Sequence, residues 1–221
     1  MMRLLGRPRA PALTDRLVWQ CASLLLSYPD DESLDAAARL VEHIDGEAAQ
    51  QLSSALTAVR GLGAMAAAQA YVATFDLGRR TTMYLTYWTA GETRNRGQAM
   101  LEFTAAYQAA GVAPPVGEAP DHLPVVLEFA ATVDAEIGRR LLTGHRVPIS
   151  VVHDALRAAG SPYAPVVAAV LATLPKSTEE DLRRAERLAE AGPPAEAVGL
   201  QPFTLTVPPR RAESARKGSL A

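Results

Sequence analysis

The chain has 221 residues, of which 48% are hydrophobic and 21% are charged, and its net charge is −2. These values are typical of a folded globular protein that is long enough to bury a sizeable core. They disfavour a nucleic-acid-binding protein, because such proteins usually carry a basic surface and a high pI.

Cysteine usage and the hydropathy pattern exclude further classes. The single cysteine, Cys21, cannot form an intramolecular disulfide or a metal site built from cysteines. The N-terminal residues include arginines but no apolar segment of signal-peptide length. No apolar run approaches the about 18 residues that suggest a membrane span. We therefore expect a cytoplasmic protein without direct membrane insertion.

Apolar residues recur at helical spacing from the start of the chain. Thr14 is predicted to cap a first helix that ends at Pro29, and three more helices are predicted before the aromatic-rich centre. Nowhere does the apolar and polar alternation of a strand persist. The stripe of the first helix consists of Leu17, Val18, Cys21, Leu24, Leu25 and Tyr28.

The centre of the chain is rich in aromatic residues. The segment from Tyr71 to Gly111 holds seven of the twelve aromatic side chains. Tyr84, Tyr87 and Trp88 have the i, i+3, i+4 spacing that places side chains on one face of a helix. Aromatic residues supply large contact areas, so this face is either core or a binding surface.

The second half of the chain begins with a proline-rich loop, residues 112–122. Asp121 is predicted to cap a helix whose buried stripe includes Leu123 and Leu127 and extends to Ile137. Further helical patterns continue to about Ala191. The predicted fold class is therefore all-α, a single-domain bundle of about seven to nine helices.

Three regions follow from this pattern. Residues 14–191 are predicted to form the helical domain, after a flexible N-terminus of residues 1–13. Residues 192–221 are rich in proline, small and charged residues, which predicts a disordered tail.

Candidate chemical groups are few. The four histidines lack the i+3 or i+4 spacing that places two metal ligands on one helix face, and no glycine-rich phosphate loop follows a strand. We predict neither a metal site nor a bound cofactor. The pair Asp121–His122 has three open interpretations: a helix cap beside a surface histidine, an acid–base pair, or an acidic rim for a peptide, shared with Glu118 and Glu128.

Two ordered blocks carry a resemblance to a known family. They are similar to the NarJ family, the molybdenum-cofactor assembly chaperones of respiratory nitrate reductase, within the wider TorD/DmsD/NarJ group of redox-enzyme maturation proteins. The first block comprises Thr74-Phe75-Asp76-Leu77, Arg79-Arg80, Tyr84-Leu85-Thr86-Tyr87, Gly91-Glu92-Thr93-Arg94 and Arg96-Gly97, and the second runs from Pro120 to Phe129.

The resemblance implies a chaperone rather than an enzyme. Its implied partner is the catalytic (alpha) subunit of nitrate reductase, held while molybdenum cofactor is inserted. In the wider group a Glu-(Pro)-x-Asp-His motif is associated with binding the client's N-terminal segment, and here it reads Glu118-Ala119-Pro120-Asp121-His122, with the proline displaced by one place. A chaperone for an N-oxide or sulfoxide reductase is the nearest alternative, and an all-α transcription regulator or an enzyme built on Asp121 and His122 are others.

The resemblance also implies a site. The predicted peptide-binding residues combine apolar contacts with acidic groups, and His122 titrates near neutral pH, so pH-dependent binding is a further hypothesis. These residues are Tyr84, Tyr87, Trp88, Glu118, Asp121, His122, Leu123, Leu127 and Glu128.

Overall fold

A computed structural model describes residues 11–91 and 94–193, which form eleven α-helices and no strand. A π-helical turn, Val72–Asp76, continues the fourth helix. The prediction of an all-α fold is confirmed. The helices are α1 (Leu13–Leu26), α2 (Asp31–Val41), α3 (Gly46–Leu62), α4 (Ala64–Tyr71), α5 (Leu85–Ala90), α6 (Arg94–Ala109), α7 (Leu123–Thr132), α8 (Ala135–Gly144), α9 (Arg146–Ala158), α10 (Ala164–Thr173) and α11 (Glu179–Ala191).

The helix count exceeds the predicted seven to nine, and the region after Leu123 shows why. We predicted one helix through Ile137, but the chain breaks between α7 and α8. The Asp134 carboxylate accepts a hydrogen bond of 2.7 Å from the Ile137 amide, which makes Asp134 the N-cap of a new helix. Apolar periodicity continued across this break because α7 and α8 both pack onto the core.

Helix α1 lies at the centre of the fold, where it packs against α2, α3, α7 and α10. A single apolar stripe was predicted, but Trp19, Ala22 and Leu26 outside that stripe are also fully buried. A helix that is apolar on all sides is typical of a buried position. The Trp19 indole donates a hydrogen bond of 2.8 Å to the Thr173 hydroxyl, which ties α1 to α10.

Helix α7 is fixed to α1 at its first turn. The Ser23 hydroxyl of α1 donates a hydrogen bond of 2.8 Å to the Pro124 carbonyl, and both groups are buried. This contact sets the position of the loop that ends at His122. Helices α5 and α6 pack on each other beside this loop, and α5 also contacts α9.

None of the helices in the described ranges is long and apolar enough to cross a membrane. The predicted tail lies almost entirely outside the described residues, as do residues 1–10 of the predicted flexible N-terminus.

Candidate functional site

The two sequence blocks meet at a short backbone contact. Residues Tyr84 and His122 form an isolated antiparallel bridge. The Leu85 amide donates to the Asp121 carbonyl at 3.0 Å, and the Leu123 amide donates to the Met83 carbonyl at 2.9 Å. The bridge therefore joins the start of α5 to the start of α7, although 38 positions separate the two residues in the chain.

Three planar side chains stack on this bridge. The Tyr84 and His122 rings have centroids 5.0 Å apart. The Arg96 guanidinium lies over the Tyr84 ring, 5.1 Å from its centroid, at a distance typical of a cation–π contact. Tyr84 is 39% exposed, so one aromatic edge of the stack faces solvent. We call Arg96, Tyr84 and His122 the aromatic stack.

Asp121 lies beneath the stack and is fully buried. We predicted that it caps α7, and this is wrong, because the N-cap of α7 is His122 and its side chain makes no capping bond. Asp121 Oδ2 instead accepts hydrogen bonds from the Thr86 amide at 3.0 Å and the Thr86 hydroxyl at 2.6 Å. Asp121 thus caps α5 from another part of the chain.

The second oxygen of this carboxylate is not satisfied. Asp121 Oδ1 has no hydrogen-bond partner, and neither does Arg96 Nε. The Arg96 Nη2 atom lies 3.8 Å from Oδ1, which is an ion-pair distance but too long for a hydrogen bond. The Arg96 side chain is 26% exposed, whereas Asp121 is sealed from solvent. A buried carboxylate oxygen without a hydrogen bond is costly, so this contact is incomplete.

Two further hydrogen bonds fix the surrounding loops. The Tyr107 hydroxyl of α6 donates to the Pro120 carbonyl at 2.6 Å, and burial raises the pKa of Tyr107, so the hydroxyl keeps its proton at neutral pH. The Trp88 indole donates to the Thr82 carbonyl at 3.1 Å. These bonds hold the segments on either side of the stack in place.

The predicted apolar contacts divide into two groups. Tyr84 is exposed and Tyr87 is half-buried, with its ring packed edge-on against Trp88. Trp88, Leu123 and Leu127 are at most 1% exposed. The interpretation of these three as surface contacts for a peptide does not fit their burial. They form the core beneath the site and position it.

The predicted acidic groups also separate. Glu118 is exposed on the loop that leads to the stack, and its charge acts on His122. Glu128 lies six residues along from His122, about 9 Å by helical rise. It lines a different groove of about 210 Å³, between α7 and the loop after α6. The charges of Glu118 and Asp121 therefore act at the aromatic stack, whereas Glu128 lines a different groove.

Burial lowers the pKa of His122 below its ordinary value, although the charges of Glu118, Asp121 and Asp76 act in the opposite direction. The imidazole is therefore neutral at pH 7. The hypothesis that His122 titrates near neutrality is corrected to a titration at more acidic pH.

Sequence reasoning missed Arg96 and Thr86 as members of the site, and Asp76 as a charge that acts on His122. All three lie in the first block of the resemblance, but no spacing rule links them to Asp121 or His122. The signal that could have found them is contact between the two blocks. If the two blocks pack against each other in the fold, their polar side chains lie close together.

Other chemistry finds little support in the described residues. They include no group of three or more His, Cys, Asp or Glu side chains that could hold a metal ion. Burial raises the pKa of the Cys21 thiol to about 12, so it is not a nucleophile at neutral pH. A second cleft, of about 500 Å³, lies between the start of α2 and the helices α3 and α4, and Tyr28, Asp31 and Met65 help to line it.

The fold has a solved counterpart. The structure matches that of a candidate redox enzyme maturation protein from Archaeoglobus fulgidus with a TM-score of 0.55. The match covers 78% of this chain and 98% of the other, at 24% sequence identity. This likeness shows the fold alone, an all-helical bundle.

The sequence defines the family. Residues 41–169 match the family described as nitrate reductase delta subunit, which is more than half of the chain. The chain belongs to this family. It is 33% identical over 166 residues to the "Probable nitrate reductase molybdenum cofactor assembly chaperone NarJ" of Bacillus subtilis, covering 73% of this chain and 90% of that protein.

Two other relatives differ in how much of their length is matched. The chain is 57% identical over 157 residues to "Nitrate reductase-like protein NarX" of Mycobacterium tuberculosis, but the match covers 71% of this chain and only 24% of NarX. It is 34% identical over 115 residues to the nitrate reductase molybdenum cofactor assembly chaperone NarJ of Escherichia coli, covering 49% of each.

Proposed function

We propose that this protein is a chaperone for a respiratory nitrate reductase. It binds the catalytic (alpha) subunit, through the N-terminal segment of that subunit, and keeps it competent for molybdenum cofactor insertion in the cytoplasm. The observation that carries the proposal is family membership, since the chain covers 90% of a relative named as such a chaperone. The chain itself has no catalytic role in this proposal and holds no cofactor.

The aromatic stack supports the proposal as the place where the segment binds. Its exposed Tyr84 ring offers apolar area, Glu118 offers negative charge, and the buried Asp121 carboxylate lies directly below. An aromatic surface beside acidic groups favours a peptide with both apolar and basic side chains. Of the predicted set, Tyr84, Tyr87, Glu118 and His122 form this binding surface, and the buried Asp121 carboxylate lies beneath it.

The test is a calorimetric titration of the full chain with the N-terminal peptide of the host's nitrate reductase catalytic subunit. We expect Tyr84→Ala to weaken binding about tenfold, because exposed aromatic residues at interface centres often contribute more than 1 kcal/mol. Tyr28→Ala removes an equally aromatic, 55% exposed side chain at the second cleft and should bind like the wild type.

Three outcomes decide the proposal. Equal binding by the Tyr84→Ala variant and the wild type would remove the stack from the binding site and leave the chaperone function in place. Absence of binding by the wild type would contradict the choice of client segment. Tighter binding of the corresponding peptide from an N-oxide or sulfoxide reductase would identify a different molybdoenzyme as the client.

A further inference from the structure

We propose that Arg96 is an internal competitor for the client: its guanidinium occupies a cation site on Asp121, and a guanidinium of the bound segment displaces it. This inference rests on the proposed function and adds a control device to it. The Asp121 carboxylate is the receptor. Arg96 of the chaperone itself occupies it until a cation that binds more tightly displaces Arg96.

The receptor is a buried charge with one free oxygen. Asp121 Oδ2 is committed to Thr86, and these two hydrogen bonds hold the carboxylate in one orientation. Oδ1 is fully buried and has no hydrogen-bond partner. A preorganised acceptor of this kind binds a donor that can reach hydrogen-bond distance more tightly than the group now facing it.

Arg96 makes no hydrogen bond with Asp121 Oδ1. Arg96 Nη2 stops 3.8 Å from Oδ1, and Arg96 Nε is also unsatisfied. The guanidinium also lies over the Tyr84 ring, 5.1 Å from its centroid. Part of the Arg96 side chain faces solvent, so it can swing away without disturbing the core, whereas the Asp121 side chain is fully buried.

The shape of the site indicates a guanidinium as the displacing group. The Tyr84 ring already carries the Arg96 guanidinium over its face, and a planar guanidinium of the client can stack at the same place while it donates to Oδ1. A lysine ammonium would satisfy the carboxylate but would not stack on the ring. Displacement frees Arg96, and the client guanidinium takes its place over the Tyr84 ring.

The experiment uses a probe without any client sequence, N-acetyl-arginine methylamide, titrated into the full chain and followed by the NMR shift of the Thr86 amide. If Arg96 covers Asp121 in about four molecules of five, its removal raises the apparent affinity about fivefold. We therefore expect Arg96→Gln to bind the probe about fivefold more tightly than the wild type, with a shift at Thr86. The uncharged citrulline analogue should not bind.

Two controls separate competition by Arg96 from a general effect of charge and from probe binding at a group other than Asp121. Arg140→Gln removes one exposed positive charge from α8 and should leave probe affinity at the wild-type level. Asp121→Asn keeps an oxygen for Thr86 but removes the charge, and in the Arg96→Gln background it should abolish probe binding. Retained binding in that double variant would overturn the assignment of Asp121 as the receptor.

The remaining outcomes are equally decisive. Probe affinity in Arg96→Gln that equals or falls below that of the wild type would overturn the competitor. Preference for the lysine analogue over the arginine probe would overturn the guanidinium assignment. A wild type that fails to bind the client peptide while Arg96→Gln binds the probe would reject the proposed client and retain the competitor, so the two failures are distinguishable.

Discussion

Asp121 is the residue on which the geometry of the site depends. Its carboxylate caps α5, its carbonyl accepts a hydrogen bond from the Leu85 amide, and its neighbour His122 is the N-cap of α7. Helix α5 has only six residues, too few to be stable without such contacts. A side chain that was predicted to cap the following helix therefore stabilises a helix 35 positions earlier in the chain.

Replacing Asp121 by alanine should lower the free energy of unfolding by roughly 2 to 3 kcal/mol, because it removes the cap of α5 and leaves the Arg96 charge unpaired. Asp121→Asn keeps one acceptor for Thr86 and should therefore lower the free energy of unfolding by a smaller amount. Urea unfolding followed by circular dichroism measures both. Glu118→Ala, at an exposed position three residues earlier, should leave stability unchanged, and a loss equal to that of Asp121→Ala would contradict this account.

His122 makes stability depend on pH in an acidic range. Its pKa is lowered in the folded protein, mainly by burial. The unfolded chain therefore binds a proton first, so stability is complete above the ordinary histidine pKa of about 6.5 and is lost as pH falls from there toward the folded pKa. His122→Gln should flatten this part of the stability profile, whereas His43→Gln, at an exposed position, should not. Identical profiles for the wild type and His122→Gln would contradict the assignment.

At the scale of the elements, close packing of α7 and α8 supports the site from below. Gly138 of α8 contacts Ala130 of α7 so closely that a Cβ on Gly138 would overlap the Cα and Cβ of Ala130. Helix α7 begins at the bridge and also packs on α1. Its position, and therefore that of His122, depends on this glycine.

Gly138→Ala should destabilise the protein by about 1 to 3 kcal/mol, since the added methyl group forces two helices apart. Gly144→Ala, at the end of the same helix, meets open space within 4 Å and should change stability little. Thermal unfolding of the two variants measures the difference. Equal stability of both variants would contradict this prediction, because it would show that α7 and α8 can move apart without a loss of stability.

Helical patterns in the sequence predicted most of the helices but not which face of each helix is exposed to solvent. Most of the predicted α1 stripe is buried or partly buried, and the first two turns of the run from Leu123 are buried as predicted, because burial repeats at helical spacing. The same periodicity cannot tell a buried aromatic residue from an exposed one, so Trp88 and Tyr84 were assigned together although one is 1% exposed and the other 39%. The break at Asp134 was missed because apolar spacing continued across it.

At the scale of the whole molecule, the site depends on a contact that sequence reasoning could name only in part. The two blocks of the resemblance identified Tyr84, Asp121 and His122, but not that a bridge between them stacks Arg96 on Tyr84. Such a contact is set by how α1, α5, α6 and α7 pack. No local pattern encodes it.

Among the surfaces that this packing leaves in the described residues are the aromatic stack and the second cleft beside Tyr28 and Met65. Both expose aromatic or apolar side chains next to acidic residues. They therefore compete as candidates for the client segment. A measurement that compares them directly tests the central claim.

That measurement is hydrogen exchange of the full chain, with and without the N-terminal peptide of the nitrate reductase catalytic subunit. We predict slower exchange in residues 83–88 and 118–123, where the backbone bridge and the cap of α5 lie, and unchanged exchange in residues 28–34 and 63–68. Protection confined to the second pair of segments would contradict the account, because the client would then occupy the cleft beside Tyr28 and not the aromatic stack.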